Sequence, residues 1–578
     1  MTESGVSQAD ERRAKLCFRV LVVLVLAGAV LLRAGIIIEL PTISRDGVAY
    51  CWQARDLGQR GIASLRSDEY GQHPLFAAAI LAVERALVAA GFDESPLLWQ
   101  ACGQAVSVSF GMLLVVMCGL LARELAQRLF PQLDPRNAAL WALALAAVLP
   151  WYAHLSADVM SETMHLSFYL AGAILLMRLE RRGVAFGCGV LSGLAFLTRP
   201  EGAVVALAAL AVLATQFHAR RGASLVGRGL LVLAGFLIAA APYWVASGRL
   251  STKLHKAPIQ QFEAGADAPT AAIAPAANRD SFVVYGDCAG GGLVRSTSAT
   301  GDGRYEARWG PRSEPEQARL QLRDVAWFEA APLALLETFR AGRVVVPLLA
   351  IPVLILLRKR LFGPVLFGLV SCAALHFALT CVLLARNGYL NPRHTLVVIS
   401  LLLPASAIFL EQVRVFSMRT GRWWLAAAVT LAALTPLVKY ALRVPHLADM
   451  HLRRAAEWLV AHDKQAREHL LLSGDSETRV AFYAGMRFQP WPEEAADAEQ
   501  RYAGLRSHAL DRAPGYQADY FAIETGPGDE LAGNDELLAR LLAEPALRGV
   551  AREVHRETGP TQATLHLLRL EWPAADTP

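Results

Sequence analysis

An aspartate, Asp46, lies in the run Ser44-Arg45-Asp46-Gly47-Val48-Ala49-Tyr50, just beyond the first long apolar segment of the chain. A carboxylate so placed can accept the proton of a weakly nucleophilic hydroxyl as it attacks. It can equally be a solvated loop residue or a helix cap. A second acidic pair, Asp158 and Glu162, stands four residues apart and shares one face if a helix begins there. Asp46 and Asp158 together could position a bound molecule or hold a divalent cation through oxygen ligands, although the spacing is not specific for a metal; Asp158 could also only cap the helix. Arg199, in Thr198-Arg199-Pro200-Glu201-Gly202, and Arg393, in Asn391-Pro392-Arg393-His394, carry planar forks that suit phosphate oxygens. The plainer reading has them snorkelling to lipid headgroups. His73, directly before the helix-starting Pro74, could donate to a phosphate or serve as a structural hydrogen bonder.

The elements that must position these residues are apolar. Of 578 residues 54% are hydrophobic and 19% charged, with a mean hydropathy of +0.34, so a bilayer is the expected solvent. Runs long enough to cross it fall near 17–38, 97–121, 137–155, 159–178, 184–198, 202–217, 228–246, 343–357, 363–384, 394–411 and 423–441. The fold class is therefore a polytopic α-helical membrane protein of about eleven spans. The segment from Leu16 to Leu40 lacks a small-residue cleavage signature and reads as a retained first span.

Cations set the expected orientation. With the amino terminus in the cytoplasm, each inward loop carries at least three, from Arg12, Arg13 and Lys15 to Arg414, Arg419 and Arg422. This requires that 74–91, with Glu84 and Arg85 in its middle, lies along the interface instead of crossing. Asp46, His73, Asp158, the loops 39–96 and 249–342 and the tail from about 444 then share the outer side. The break at Thr198–Gly202 is costly in lipid and either points at a polar site or makes a tight outer turn. The net charge of +5 is loop charge, with no nucleic-acid partner implied. Most of the eight cysteines lie in apolar runs; Cys51 and Cys288 read as water-facing and could pair in an oxidising compartment.

Within the outer loop, Ser281–Tyr285 is strand-like between an Ala/Pro-rich and a Gly-rich stretch. The tail alternates helical patterning over Met450–Glu468, a strand over His469–Ser473, a helix over Ser476–Ala484 and a strand over Tyr520–Glu524. The expected organisation is a membrane module over 1–443 and a small α/β domain over 444–578.

The order of these landmarks resembles the GT-C glycosyltransferases of the protein mannosyltransferase and aminoarabinose transferase group, often called family 39. The resemblance runs through Arg45-Asp46-Gly47 with Tyr50, His73-Pro74-Leu75, Asp158 with Glu162, the segment Gly193–Gly202, and Asn391-Pro392-Arg393-His394. The chain departs from the family pattern in having one proline after His73, where two are frequent, and His394 where tyrosine is usual.

The resemblance implies a polyprenyl-phosphate sugar donor, inverting transfer without a nucleotide sugar, and Asp46 as general base. Asp158 would assist the acceptor or a metal. Tyr50, His73, Glu162, Arg199 and Arg393 would bind substrate, with His73, Arg199 and Arg393 on the donor phosphate. The partners expected with it are a glycolipid, polysaccharide or protein acceptor; no cofactor is certain, and a divalent metal at Asp46 and Asp158 stays open. The Ala- and Arg-rich composition points to a bacterial inner membrane with a periplasmic outer face.

A transporter or flippase of a lipid-linked sugar would also place charges and a broken helix at depth, but no inverted repeat is visible and the polar candidates gather on one face. A non-catalytic assembly or sensor protein is the third reading; it would tolerate loss of Asp46 but not of residues 444–578.

Overall fold

The computed structural model describes residues 8–66, 72–220, 223–250, 293–299, 305–311, 327–361, 366–387, 390–443, 449–473, 478–490, 518–526, 534–545 and 550–571, with the single positions 363, 445, 502 and 547. The expected strand at Ser281–Tyr285, the Ala/Pro-rich stretch and Cys288 lie outside the described residues. Leu293–Ala299 (β1) and Tyr305–Pro311 (β2) pair as an antiparallel hairpin.

Every apolar run expected to cross is helical. The helices are α1 (Gln8–Glu39), α2 (Arg45–Arg60), α3 (Pro74–Ala89), α4 (Pro96–Leu129), α5 (Pro135–Val148), α6 (Pro150–Ala157), α7 (Glu162–Leu176), α8 (Arg182–Thr198), α9 (Ala203–Arg220), α10 (Ala223–Ser247), α11 (Trp327–Ala341), α12 (Val345–Leu357), α13 (Phe367–Asn387), α14 (Leu396–Arg419) and α15 (Trp423–Ala441). Among the described residues, 7 helices are long and apolar enough to cross a membrane, or up to 9 when the two bent pairs are each taken as one span. The pair α5 and α6 bends by 58° where Pro150 removes an amide from the ladder. The α11–α12 pair turns by 111°, and there Val344, a β-branched residue, holds φ at 62°. The runs 159–178 and 184–198 form the shorter apolar helices α7 and α8, so the sequence count of about eleven exceeds the clear spans. α3 is too short to cross; its Glu84 is buried.

Close backbone approach fixes α8 against α10. A methyl group on Gly189 would strike the Val232 carbonyl, and one on Gly235 would strike the Phe186 carbonyl. Only glycine lets these helices meet at that spacing. Among the buried polar residues of this interior is Arg33 of α1, fully enclosed, donating to the carbonyls of Ala29 (3.0 Å) and Ala147 (3.2 Å).

The residues after α15 continue as α16 (Met450–His462), β3 (Leu470–Ser473), α17 (Thr478–Ala484), β4 (Arg487–Pro490), β5 (Tyr520–Thr525), α18 (Asn534–Ala543), β6 (Ala551–Thr558) and β7 (Thr564–Leu570). The five strands form one sheet in the order β4-β3-β5-β7-β6. β3 is parallel to β4 and β5, while β7 is antiparallel to β5 and β6. β5 is buried along its whole length, matching its continuous apolar run Tyr520–Ile523.

This sheet unit grips the short link between α1 and α2. Arg453 of α16 donates to the Pro41 carbonyl (3.0 Å), and the Ile43 amide donates to the hydroxyl of Tyr483 on α17 (2.9 Å). Tyr483 in turn donates to Gln100 of α4 (2.9 Å). Phe482 is buried in the apolar cluster of α2, α3 and α4, where its ring meets Trp52 edge-on at 6.5 Å. Burying a side chain of that size stabilises the contact by about 1.5–3 kcal/mol. Cys51 belongs to the same cluster and is 1% exposed, so it faces the core and not water as the sequence had suggested.

Candidate active site

Asp46 sits in the first turn of α2, whose start is set by Ser44: its hydroxyl accepts from the Gly47 amide at 3.1 Å. Three residues back, the amide of Ser44 itself donates to both carboxylate oxygens of Asp158 (3.0 and 3.3 Å). Asp158 also accepts from the Val159 amide at 2.7 Å. It stands at the end of α6 in extended conformation, and α7 begins only at Glu162. The expected shared helical face of Asp158 and Glu162 is therefore not formed. Asp158 turns to the backbone beneath Asp46, while Glu162 turns the other way, toward the arginines.

Those arginines arrive from two irregular segments. Arg199 follows the end of α8, where Thr198 Oγ1 and the Arg199 amide both donate to the Ala195 carbonyl (2.5 and 2.9 Å). The chain then makes a single 3-10 turn, Pro200–Gly202, before α9. The backbone groups freed by this break are met by Ser192, which donates to the Gly202 carbonyl (2.8 Å) and accepts from the Ala206 amide (3.0 Å). Gly202 packs onto the backbone of Ala195 and Phe196 so closely that no side chain fits. The break thus turns inward to a site. Arg393 lies in a second 3-10 turn, Pro392–Thr395, capped by Asn391, which accepts from the Arg393 amide at 3.0 Å.

The charges alternate along a line. Arg393 Nη1 is 2.7 Å from Asp46 Oδ2 and 4.0 Å from Glu162 Oε1; Glu162 Oε1 is 2.6 Å from Arg199 Nη1; Arg199 Nη2 is 3.6 Å from Glu201 Oε1. Exposure falls from the rim inward: the Asp46 side chain is 28% exposed, Glu162 only 5%. Glu162, Arg199, Glu201 and Arg393 line a cavity together with His165 and His376. Tyr50 lies beside this charged group, hydrogen-bonded to the Ser161 that precedes Glu162. Its hydroxyl donates to Gln72 Oε1 (3.1 Å) and so accepts from Ser161 (2.7 Å). Burial, with the Glu162 charge adding to it, pushes the Tyr50 phenol well above its ordinary value, so it stays a hydrogen-bond donor.

His73 is fully buried at the start of α3, edge-on to Phe196 at 5.2 Å and tilted against Tyr243 at 5.4 Å. It packs behind the α8 terminus and is not part of the cavity wall. Asp46 and Asp158 do not make a cation cage: one faces Arg393, the other backbone amides. Among the described residues no group of three His, Cys, Asp or Glu side chains could hold a metal ion. The donor set therefore does not fit the divalent cation that the sequence left open.

Sequence reasoning did not select His165, Glu201 or His376. Two signals were present. His165 lies three residues after Glu162, on the same helical face, and Glu201 sits inside the conspicuous Thr198–Gly202 break. His376 lay hidden as the single histidine in the apolar run 363–384.

A family model described as dolichyl-phosphate-mannose-protein mannosyltransferase matches residues 98–245. That stretch holds Asp158, Glu162 and Arg199, but not Asp46 or Arg393. A comparison with curated protein sequences finds no match. Among solved structures, ArnT from Cupriavidus metallidurans in the apo state aligns with a TM-score of 0.56 at 13% identity, covering 94% of this chain and 97% of that one. The same enzyme bound to undecaprenyl phosphate aligns with a TM-score of 0.52 at 14% identity, with the same coverage. At such identities the likeness is one of fold. The sequence match spans α4–α10, under half of the chain, while the fold shared with ArnT runs along nearly all of it.

Proposed function

We propose that the protein transfers a sugar from a polyprenyl-phosphate carrier to an acceptor hydroxyl, with inversion, at the periplasmic face of a bacterial inner membrane. The observation that carries this reading is the ion pair of Asp46 with Arg393 at the rim of a cavity whose interior is charged and buried. The bound undecaprenyl phosphate of the C. metallidurans enzyme supports a lipid-phosphate donor. The loop cations support an amino terminus in the cytoplasm, with the sheet unit on the opposite side.

In this mechanism Asp46 accepts the acceptor proton while the sugar–phosphate bond breaks. Arg393 neutralises the departing phosphate, where charge develops in the transition state. The same guanidinium serves Asp46 when no donor is bound. Donor phosphate then draws Arg393 away and frees the carboxylate, so the base becomes available only once its partner substrate is in place. Arg199 is held between Glu162 and Glu201 and acts mainly by fixing Glu162. Asp158 acts through the Ser44 amide, orienting the turn that carries Asp46. His73 acts through its contact with Phe196, at the end of α8, rather than by touching phosphate.

The test is transfer of radiolabelled sugar from a panel of polyprenyl-phosphate glycosides by the purified protein, with membrane-extract acceptors. Asp46→Asn is expected to lower turnover on the order of a hundredfold or more while leaving donor binding intact. Wild-type turnover by that variant would remove Asp46 as the base.

A further inference from the structure

Three buried hydrogen-bonding atoms on the cavity wall have no hydrogen-bond partner among the described residues: Glu162 Oε2, His165 Nε2 and His376 Nδ1. Their residues are 3%, 3% and 4% exposed. The state of each ring follows from its other nitrogen. His165 Nδ1 lies 3.1 Å from the Ala195 carbonyl, and His376 Nε2 lies 2.9 Å from the His394 carbonyl. A carbonyl only accepts, so each of those nitrogens carries the hydrogen, and in a neutral ring the opposite nitrogen is bare. Both rings are almost fully enclosed, and burial opposes the charged ring. All three atoms are then acceptors, and an unmet buried acceptor is costly.

Resting on the lipid-linked donor reading above, we infer that Glu162, His165 and His376 form a subsite that accepts hydrogen bonds from the hydroxyl or ammonium groups of the transferred sugar. Ionised phosphate oxygens have no hydrogen to give, and neither does a prenyl chain. The glycosyl group is the one part of such a donor that can satisfy bare acceptors. Phosphate is thereby assigned to Arg393, and sugar identity is read by the bare acceptors beside it. A sugar lacking a hydroxyl at a matched position leaves an acceptor unpaired and is rejected.

The experiment uses the full-length protein in lipid nanodiscs. Binding is measured for bare undecaprenyl phosphate and for undecaprenyl-phosphate carrying a pentose, a hexose or an aminopentose, in wild type, His165→Leu and His376→Leu. Wild type is expected to prefer at least one glycoside over the bare lipid. Each variant should lose about tenfold in affinity for that glycoside and stay within about twofold for the bare lipid, whose binding also reports intact folding. A second measurement needs no variant: on wild type, glycosides with single hydroxyls replaced by hydrogen should weaken by a similar factor at one or more positions. Equal weakening toward bare and glycosylated lipids would make these residues phosphate ligands and overturn the inference. So would unchanged binding of every lipid by both variants, which would leave a water-filled polar cavity, or equal wild-type affinity for bare and glycosylated lipids. Failure of wild type to bind even the bare lipid would instead remove the lipid-donor reading, and this inference with it.

Discussion

Tyr483→Phe tests whether the sheet unit sets the position of Asp46, the proposed base. The substitution keeps the ring that packs edge-on against Phe482 and lies beneath Arg453, and removes one oxygen. That oxygen accepts from the Ile43 amide and donates to Gln100, both at 2.9 Å. Ile43 is completely buried, so its amide loses its acceptor where water does not replace it, at about 1–3 kcal/mol. The loss falls on the link two residues before α2, where the remaining anchors are Arg453 on Pro41 and Asp158 on Ser44. Spent on displacing that link, about 1.4 kcal/mol corresponds to a tenfold fall in rate. A misplaced reacting group of about 1 Å can cost a hundredfold. Expected, then, is a drop in kcat of roughly tenfold with little change in KM, measured as labelled sugar transfer. Glycoside binding should be retained, because the cavity lies on the far side of Asp46. A lower melting temperature with wild-type kcat would refute the reasoning, showing that the hydroxyl only attaches the unit.

Other consequences can be measured alongside. Glu162→Gln removes the nearer of the two carboxylates that hold buried Arg199, leaving Glu201 at 3.6 Å, and should destabilise the protein by about 1–3 kcal/mol, read as a lowered melting temperature; adding Arg199→Gln should restore part of the loss. Gly202→Ala must push α9 off the end of α8 and should cost about 1–3 kcal/mol or more, with loss of transfer activity; unchanged stability would contradict the close packing. In the sheet unit, burial alone would raise the Asp463 carboxyl, but hydrogen bonds from Tyr520, the Gln465 amide and His469 outweigh it and hold the group below its ordinary value. A depressed carboxyl contributes stability above the ordinary carboxylate range and loses it as pH falls through the folded value. Amide exchange in β3 and β5 should therefore be faster in Asp463→Asn at neutral pH, by on the order of 1 kcal/mol of protection, with the difference shrinking on acidification.

The helical membrane architecture was legible because lipid demands long apolar runs, and such runs are conspicuous in composition alone. Crossing number was less so: α7 and α8 are apolar but short, and the proline at position 150 bends one run into two helices. Of the site, Asp46, Glu162, Arg199 and Arg393 were legible because charge beside an apolar run is rare and stands out. Their alternation was not, since it depends on segments hundreds of residues apart. Asp158 was legible as important but not in its manner of acting, because nothing local shows that α7 starts four residues later. The sheet was only half visible. β5 reads as an apolar run, whereas β6 alternates charged and half-buried residues and β4 is four residues long.

The grip of Arg453 and Tyr483 on the α1–α2 link also bears on how the protein is made. Ile43, in the link just ahead of Asp46, is synthesised 440 residues before the Tyr483 that holds its amide. A nascent chain can therefore lay down α1 through α15 and still lack the contact that holds the turn of Asp46. On the proposed reading, the Asp46 carboxylate comes into register only when the sheet unit after α15 folds back onto the α1–α2 link.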